Sequence, residues 1–335
     1  MGPPLPLLAC ALVALALGAC ATAPGVPEAP SAPFSPVVAL PAGASGIHPL
    51  NGRIWAPAEQ RFLEPEQAVA RADKARFVLL GETHDNPDHH RLQASFIRSI
   101  ALTGRRPAVV WEMIPADKGL AVAGYWGLPG HDADGLGDIL DWDESGWPEW
   151  SMYQPVARAA LVARLPIAPG DLSGEARRLV ARGGIPALGR VRAAELQLDE
   201  PLPDRLRKDL VARLEGSHCG MLRGPAVERM VDVQRARDAA LADALVRAAE
   251  AGEPGDGAIL IAGGGHARKD YGVPWYLRQH GVKEEEMLAV RFVEVAPGDE
   301  AASGYVEQGA FDLLWFTTPV DRGDPCEALR EHRKK

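Results

Sequence analysis

The sequence predicts an α/β fold with a mainly parallel β-sheet flanked by helices and an inserted helical lid subdomain. Helical segments separate most of the apolar runs that resemble strands, and this alternation is typical of a layered α/β sheet. The runs are nearly continuous in apolar residues, as expected where both faces of a sheet are covered. The predicted strands comprise residues 76–80, 108–111, 165–168, 258–262, 287–295 and 313–317.

The domain organisation follows from the same pattern. Residues 174–252 contain several charged helical stretches and no clear strand in the sequence. Such a long insertion between two strands predicts a helical lid over the edge of the sheet. The predicted α/β body therefore comprises residues 46–173 and 253–325. With 335 residues, 47% of them hydrophobic, the chain can bury a large core.

The first residues resemble a bacterial export signal. Residues 5–19 are nearly all apolar and uncharged, and they are too few to span a membrane comfortably. They end in Leu17-Gly18-Ala19-Cys20, which resembles a lipobox, so residues 1–19 are predicted to be a signal peptide and Cys20 to carry lipid. An ordinary cleaved signal is the alternative. Residues 20–45 are rich in proline and alanine and predict an extended tether. Ala21 at the position after the lipid-bearing cysteine favours the outer membrane, facing the periplasm or the outside.

Charge and cysteine content limit the partners. The net charge of −9 and the pI of about 5.5 argue against nucleic acid, because phosphate binding needs a basic surface. They also argue against electrostatic attachment to anionic lipid. Cys219 and Cys326 remain after the signal region. An exported compartment permits a disulfide between them, with two unpaired thiols as the alternative. The sequence contains no C-x-x-C motif, which argues against a cysteine zinc site.

Two short polar motifs follow predicted strands: Gly81-Glu82-Thr83-His84 and Gly263-Gly264-Gly265-His266. Glu112 follows the second predicted strand in the same way. Ligands bind at the carboxyl ends of the strands in an open α/β sheet. Two imidazoles and two carboxylates suit a divalent metal ion or general acid–base catalysis. The alternative is that the glutamates cap helices and the histidines bind backbone groups. The side chains predicted to converge are Glu82, His84, Glu112 and His266.

Two further histidines are candidates for the site. Asn86 and Pro87 suit the start of a helix. The apolar stripe of that helix includes His89, which is therefore predicted to face inward near His84. His218 lies in a short loop of the predicted lid.

Aromatic and polar clusters provide other candidates. Several tryptophans lie close together with Tyr153, and they can form a flat wall for a planar ligand or pack a loop onto the core. On a helix of the predicted lid, Gln234 and Asp238 interrupt the apolar face beside Arg237, which indicates either an internal network or a ligand contact. The tryptophans are Trp142, Trp147 and Trp150.

With these residues, the chain resembles the ChaN-type haem-binding lipoproteins, which belong to the wider superfamily of Tiki and erythromycin-esterase-like proteins. The resemblance runs over nearly all of the predicted mature chain and depends on the order and spacing of short motifs. These are Gly81-Glu82-Thr83-His84 with His89-His90-Arg91-Leu92-Gln93, Trp111-Glu112-Met113, His218-Cys219-Gly220-Met221, Gln234-Arg235-Ala236-Arg237-Asp238, Gly263-Gly264-Gly265-His266 with Tyr271-Gly272-Val273-Pro274, and Trp315-Phe316-Thr317.

The resemblance implies an outer-membrane lipoprotein linked to iron acquisition through haem. It also implies a homodimer that holds haem at the subunit interface with a tyrosine on the iron, and tyrosinate suits ferric haem as a hard, anionic ligand. Tyr271, five residues after His266, is the leading candidate for this ligand and Tyr153 is the second. His218 and His89 are further candidates for contact with the cofactor. The sequence contains no c-type attachment motif, so haem would be held non-covalently.

Two alternatives to haem binding remain at this point. Elsewhere in the superfamily, the same residue set is attributed to metal-dependent hydrolysis. The chain is then predicted to hydrolyse an ester or a peptide, with Glu82 or Glu112 as general base and with His84 and His266 as metal ligands. The other alternative is a structural or interaction protein that does not use its polar motifs.

Overall fold

One sheet of eight strands organises the part of the chain that the structure describes. The computed structural model describes residues 48–324, together with Met1, Gly2 and Cys326. Cys20, the predicted tether and nearly all of the predicted signal peptide lie outside these residues. The strands are β1 (Ile54–Ala56), β2 (Arg61–Leu63), β3 (Phe77–Glu82), β4 (Ala108–Pro115), β5 (Ile167–Asp171), β6 (Ala258–Gly263), β7 (Met287–Glu294) and β8 (Leu313–Thr317).

The strand order is β2-β1-β8-β7-β3-β6-β4-β5. Every pair from β8 to β5 is parallel, whereas β1 is antiparallel to both β8 and β2. This mixed, mainly parallel sheet confirms the predicted α/β fold. The sequence does not predict β1 and β2, because a strand of three residues is too short to show an apolar period.

The described residues also form ten α-helices. Short 3-10 turns join several of them. The helices are α1 (Pro65–Lys74), α2 (Pro87–Leu102), α3 (Gly119–Trp126), α4 (Ala133–Ile139), α5 (Trp150–Val162), α6 (Gly174–Gly183), α7 (Arg190–Glu195), α8 (Asp204–Ser217), α9 (Pro225–Ala251) and α10 (Val273–Gln279).

Each face of the sheet has its own apolar core. Along β3, Val78 and Leu80 belong to one core, while Phe77 and Leu79 belong to the other, because successive side chains of a strand point to opposite faces. Residues of α1 to α5 complete the first core, and residues of α6, α7, α9 and α10 complete the second. Covering both faces buries the parallel strands, so their polar residues gather at the carboxyl edge.

Helix α2 begins as the sequence predicts. The side chain of Asn86 accepts a hydrogen bond from the backbone N–H of Asp88 at 2.9 Å, and Pro87 is the first helical residue. The helix buries His89 and Leu92 against the sheet. This start fixes the loop between β3 and α2, which carries the first polar motif.

Residues 174–252, all of which the structure describes, contain helices α6 to α9 and no strand. Helix α9 is 27 residues long and packs against β4, β5 and β6. Helices α8 and α9 enclose a small third core that includes Tyr271. A disulfide joins Cys219 to Cys326, with 5.7 Å between the Cα atoms. In the described part of the chain, no helix is both long and apolar enough to cross a membrane.

Candidate ligand-binding site at the carboxyl edge of the sheet

The four predicted strand-end side chains form one chain of contacts. Oε1 of Glu82, at the end of β3, lies 2.6 Å from Nδ1 of His84. Nε2 of His84 lies 4.0 Å from Oε1 of Glu112. The same oxygen of Glu112 lies 3.1 Å from Nε2 of His266. The structure therefore brings all four residues together, as two neighbouring glutamate–histidine pairs. The predicted position of Glu112 after the end of its strand is wrong, because β4 continues to Pro115 and Glu112 lies within it.

Glu112 is buried and fully bonded. Oε1 accepts a hydrogen bond from Nη2 of Arg237 at 2.9 Å, and Oε2 accepts one from the backbone N–H of Gly263 at 2.7 Å. Burial alone would raise the pKa of the Glu112 carboxyl. The positive charges of His266 and Arg237 outweigh burial and hold this pKa well below its usual range. Glu112 is therefore a buried carboxylate anion.

His266 is buried between two carboxylates. Its Nδ1 lies 2.6 Å from Oδ1 of Asp238, and its Nε2 faces Glu112. Burial alone would lower the pKa of His266, but the charges of Glu112 and Asp238 raise it to about 10. Both ring nitrogens donate to carboxylates, so His266 is an imidazolium with no lone pair left for a metal ion.

The polar residues of α9 complete this buried network. Arg237 donates from Nε to both oxygens of Asp171, at 3.1 and 3.0 Å, and from Nη2 to Glu112. Gln234 donates from Nε2 to Oδ2 of Asp238 at 3.3 Å. The sequence left open whether the polar residues of this helix form an internal network or contact a ligand. In the structure, they form an internal network. Asp171 ends β5 as Glu82 ends β3, so the strand-end rule that found Glu82 could also have found Asp171.

The other pair, Glu82 and His84, is less completely bonded. The carboxylate of Glu82 is buried, and its Oε2 has no hydrogen-bond partner among the described residues. The side chain of His84 is 35% exposed, and no described residue forms a hydrogen bond to its Nε2. Burial lowers the pKa of His84, but the charges of Glu82 and Glu112 outweigh it, so the net shift is upward. This pair faces solvent through one histidine nitrogen.

Gly263 allows the two pairs to approach each other. A Cβ atom at this position would lie 2.9 Å from Nε2 of His84 and 3.6 Å from Oε2 of Glu112. A Cβ atom at Gly265, two residues further on, would meet nothing within 4 Å. The glycine motif therefore provides space for side chains rather than a left-handed turn, since none of its three glycines has positive φ.

Tyr153 lies beneath the exposed histidine. Its side chain is fully buried, and its hydroxyl lies 3.4 Å from both Nδ1 and the carbonyl oxygen of His84. Its ring packs on that of His90, with 4.1 Å between centroids. Burial and the negative charges of Glu82 and Glu112 raise its pKa. Tyr153 is therefore a neutral phenol that supports His84 from the core side.

A cleft of about 330 Å³ opens beside these residues at the ends of β4 and β5. The ring of Trp147 lines it and packs edge-on against His84, with 4.8 Å between centroids. Trp142 also lines the cleft. Trp142 and Trp150 direct their indole N–H groups to backbone carbonyls, at 2.8 and 3.0 Å, so both also pack the loop. Lys118 and Arg177 also line the cleft, and no sequence motif singles them out.

The remaining predicted cofactor contacts lie away from the cleft. Nδ1 of His89 accepts a hydrogen bond from the backbone N–H of Thr83 at 2.8 Å, and Nε2 donates to Oγ1 of Thr317 at 2.7 Å. Burial, followed by the charge of Arg291, lowers the pKa of His89 well below its usual range. His89 is therefore a neutral structural residue that faces inward, as predicted, with both nitrogens occupied.

Tyr271 and His218 are also outside the cluster. Tyr271 is 2% exposed and packs in the third core beside Arg268, whose guanidinium carbon lies 4.5 Å from the ring centroid. His218 follows α8 and bonds through Nδ1 to the carbonyl oxygen of Leu214 at 2.8 Å. Among the described residues, neither forms a hydrogen bond or ring contact with the four strand-end residues.

The predicted divalent metal site finds no support in the described residues. None of their His, Cys, Asp and Glu side chains form a group of three or more arranged to hold a metal ion. The reason is local: the charges at this edge are paired with each other, and His266 has both nitrogens engaged by Glu112 and Asp238.

A parallel α/β sheet with a cleft above a buried ionic network defines a class of ligand-binding or catalytic α/β proteins. Within that class, the chain belongs to the family of haem-binding uptake proteins of the Tiki superfamily, ChaN, whose model matches residues 68–277. This match confirms the resemblance found in the sequence motifs. A comparison with curated proteins gave no match.

Three solved structures match this chain to different degrees. A ChaN of Campylobacter jejuni, described with cofacial haem, is 19% identical with a TM-score of 0.60, covering 78% of this chain and 95% of that one. The type III effector HopBA1 is 13% identical (TM-score 0.44; 81% and 98% covered). A mutant of the erythromycin esterase EreC in its open conformation is 14% identical (TM-score 0.41; 78% and 95% covered). At 19% identity, the similarity to the Campylobacter jejuni structure concerns the fold alone.

Proposed function

We propose that this protein binds haem non-covalently and that, as an exported lipoprotein, it serves haem or iron acquisition. The observation that carries the proposal is the match of the haem-binding uptake family to residues 68–277. The matched region includes both glutamate–histidine pairs and the whole lining of the cleft.

The chemistry of the cleft fits one edge of a haem. Trp147 and Met113 provide apolar surface for the macrocycle. Lys118 and Arg177 pair with Asp141 and Asp171 in this structure, and they would exchange these partners for the carboxylates of a bound haem. A volume of about 330 Å³ is near the lower end of the range for small-molecule pockets, roughly 300–1,000 Å³, so much of a haem would remain outside. A second copy of the chain could cover that part, which supports the predicted homodimer.

When bound, haem would supply an iron centre that accepts a ligand from the protein. Tyr271 and Tyr153 remain the predicted ligands. Both side chains are buried, so either would have to move to reach the iron. Tyr271→Phe is expected to abolish the tyrosinate-to-iron charge-transfer band and to leave the fold intact. An unaltered haem spectrum in this variant would remove Tyr271 from the coordination sphere.

Haem titration of the purified protein, followed by absorbance, tests binding directly. A saturable Soret band at one haem per chain is expected. The double variant Lys118→Gln/Arg177→Gln should bind more weakly, because both cations line the cleft. Arg205→Gln is the control, since Arg205 is an 83% exposed arginine on α8 that should not contribute. Linear, unsaturable absorbance in the wild type would rule out specific binding.

Export and membrane attachment rest on the sequence around Cys20. Cys20→Ser should prevent lipidation and release the protein from the membrane fraction. Separation of inner and outer membranes then tests the predicted outer-membrane location. Unchanged membrane association of the variant would contradict the lipobox interpretation. Size-exclusion chromatography with and without haem tests the homodimer.

One observation favours hydrolysis as a second candidate function. His84 bonds to the buried Glu82 through Nδ1 and packs against Trp147 at the border of the cleft, and no described residue forms a hydrogen bond to its Nε2. This is the geometry of a histidine general base oriented by a carboxylate. His266 is engaged on both nitrogens, so this candidate uses His84 alone. Ester and peptide substrates tested with wild type and with His84→Asn, each with and without a chelator, would reveal it. Equal turnover by both proteins would dismiss it.

A further inference from the structure

A second cavity, of about 300 Å³, lies at the end of β5 and is lined by residues of β5, α6, α7 and α9. Its buried apolar residues are Leu172, Ala240 and Ala244, which belong to the core on the lid side of the sheet. The cleft described above is lined instead by Met113 and Trp142 of the other core. The two cavities therefore lie on opposite faces of the sheet, and we call the second one the lid-side pocket.

The two cavities share one lining residue, Asp171. Its side chain is buried, and both of its oxygens accept a hydrogen bond from Nε of Arg237. Asp171 is thus engaged in the network at the sheet edge and forms a wall between the cavities. A ligand in the lid-side pocket would meet a different set of side chains from a ligand in the cleft.

Helix α9 provides the space of the lid-side pocket. Ala240, Ala244 and Arg247 follow one another at intervals of four and three residues, which places them on one face of the helix. Alanine side chains end at Cβ, so this face leaves a gap towards β5 that larger apolar side chains would fill. The pocket therefore has an apolar floor, and Arg247 lies at its rim on the same helix face.

Two arginines meet at this rim. Nη2 of Arg192 and Nη2 of Arg247 lie 3.6 and 3.1 Å from the same atom, Oδ2 of Asp243. No described residue forms a hydrogen bond with this buried oxygen, so both contacts are ion pairs without hydrogen-bond geometry. Arg192 also donates from Nη1 to Glu195 at 3.0 Å. Arg247 donates no hydrogen bond to a described residue, so most of its N–H groups are available to a ligand.

An arginine pair beside an apolar floor suits an amphipathic anion. A guanidinium presents a planar fork that matches the two oxygens of a carboxylate. The hydroxyl of Ser173 also lines the pocket and accepts a hydrogen bond from the backbone N–H of Ala176 at 3.1 Å, which leaves its own hydrogen to donate. Small-molecule sites combine an apolar lining with a few such polar groups, in volumes of roughly 300–1,000 Å³. The volume of the lid-side pocket is near the lower limit, so its occupant should be small.

We propose that the lid-side pocket binds a small amphipathic monocarboxylate. Its apolar body would pack on Leu172, Ala240 and Ala244, and its carboxylate would bind Arg192 and Arg247. Asp243 need not be displaced, because each guanidinium has five N–H groups and faces Asp243 with Nη2 alone. The proposal does not depend on haem binding, since Asp171 is the one lining residue that the two cavities share.

Equilibrium dialysis of the purified full-length protein against naphthoate tests the pocket, with ionic strength held constant by chloride. The wild type should bind one naphthoate per chain saturably. Naphthamide, which has the same body without the charge, should bind at least roughly fivefold more weakly. Arg192→Gln/Arg247→Gln should lose at least roughly fivefold in naphthoate affinity and keep its naphthamide affinity. Arg205→Gln removes an exposed arginine of α8 outside the pocket and should bind naphthoate as the wild type does.

Two alanines of α6 test the cavity without a change of charge. Ala176 lines the lid-side pocket, so Ala176→Phe should fill it and abolish naphthoate binding. Ala181 is exposed on the same helix and does not line the pocket, so Ala181→Phe is the matched control and should bind normally. A wild type that does not bind naphthoate saturably would overturn the proposal. Equal naphthoate affinities in Ala176→Phe and the wild type would also overturn it.

Haem distinguishes a separate pocket from an extension of the cleft. Saturating haem should leave the naphthoate affinity of the wild type unchanged, and Arg192→Gln/Arg247→Gln should bind haem as the wild type does. Displacement of naphthoate by haem would overturn the proposal, because naphthoate would then occupy the cleft. Failure of haem to bind at all would contradict the proposed function and leave the naphthoate measurements as an independent result.

Discussion

Two glutamate–histidine pairs lie side by side at the carboxyl edge of one sheet, and they differ in how completely they are bonded. Glu112 and His266 are buried and bonded on all sides by Arg237, Asp238 and the backbone. Among the described residues, Oε2 of Glu82 has no hydrogen-bond partner and Nε2 of its histidine, which packs against the cleft residue Trp147, accepts no hydrogen bond.

The difference in bonding indicates that one pair stabilises the sheet edge and that the other contacts the ligand. A fully satisfied buried ionic network is rigid and strongly destabilised when one member is removed. A partly exposed histidine with an unused nitrogen is available to a ligand. We therefore interpret the Glu112 pair as the support that fixes the sheet edge and the Glu82 pair as the part that meets the ligand. The same substitution should then destabilise the fold strongly in the Glu112 pair and only slightly in the Glu82 pair.

The largest effect is expected for Glu112→Gln. The amide cannot neutralise Arg237 and His266, so two buried cations lose their shared anion. We expect the free energy of unfolding to fall by about 3–5 kcal/mol, measured by chemical denaturation. The comparison variant is Glu82→Gln. A loss under about 1 kcal/mol at Glu112 would contradict its supporting role.

The pH dependence of stability should identify His266. Its folded pKa, about 10, exceeds the unfolded value of about 6.5. Its contribution is therefore fully present below pH about 6.5 and is lost as the pH rises through about 10. Between these limits, the free energy of unfolding should decline by up to about 1.4 kcal/mol per pH unit from this group. His266→Gln should remove that component, so identical slopes in both proteins would refute the assignment.

The contact between the pairs can be disturbed without changing any charge. Gly263→Ala places a Cβ atom against Nε2 of His84 and should cost about 1–3 kcal/mol in the free energy of unfolding through overpacking. Gly265→Ala, two residues further along the chain, is the matched control, because a Cβ atom there has no atom within 4 Å, and it should change little. Equal unfolding curves for the two variants would show that His84 moves aside freely.

The sequence predicts the convergence of these residues because it depends on a local rule. Glu82 and His266 each lie just at or after the end of an apolar strand, and parallel strands end at one edge. The start of α2 at Asn86 and Pro87 follows from equally local preferences. Strands β1 and β2 were not predicted, because a strand of three residues is too short to show the alternation of apolar and polar residues.

The division of roles between the pairs could not be predicted, because it depends on contacts between distant parts of the chain. Arg237 is 125 residues from Glu112, and Asp238 is 28 residues from His266. Only the packing of α9 against the sheet assigns these partners to one pair and not to the other. The burial of Tyr271 has the same origin, since the helices that cover it come from residues 204–251.

The smallest effect on stability is expected for Glu82→Gln, although the chemical change is the same as in Glu112→Gln. The amide oxygen can still accept the hydrogen bond from Nδ1 of His84, and no buried cation loses an ion pair. The free energy of unfolding should change by about 1 kcal/mol or less. The pKa of His84 should fall, however, because the charge of Glu82 is one cause of its upward shift. NMR titration of the His84 ring measures this fall. A lowered pKa, together with an altered haem affinity and a nearly unchanged unfolding curve, would assign contact with the ligand to this pair. If Glu82→Gln lowers the free energy of unfolding as much as Glu112→Gln does, both pairs stabilise the sheet edge, and the proposed difference between them is wrong.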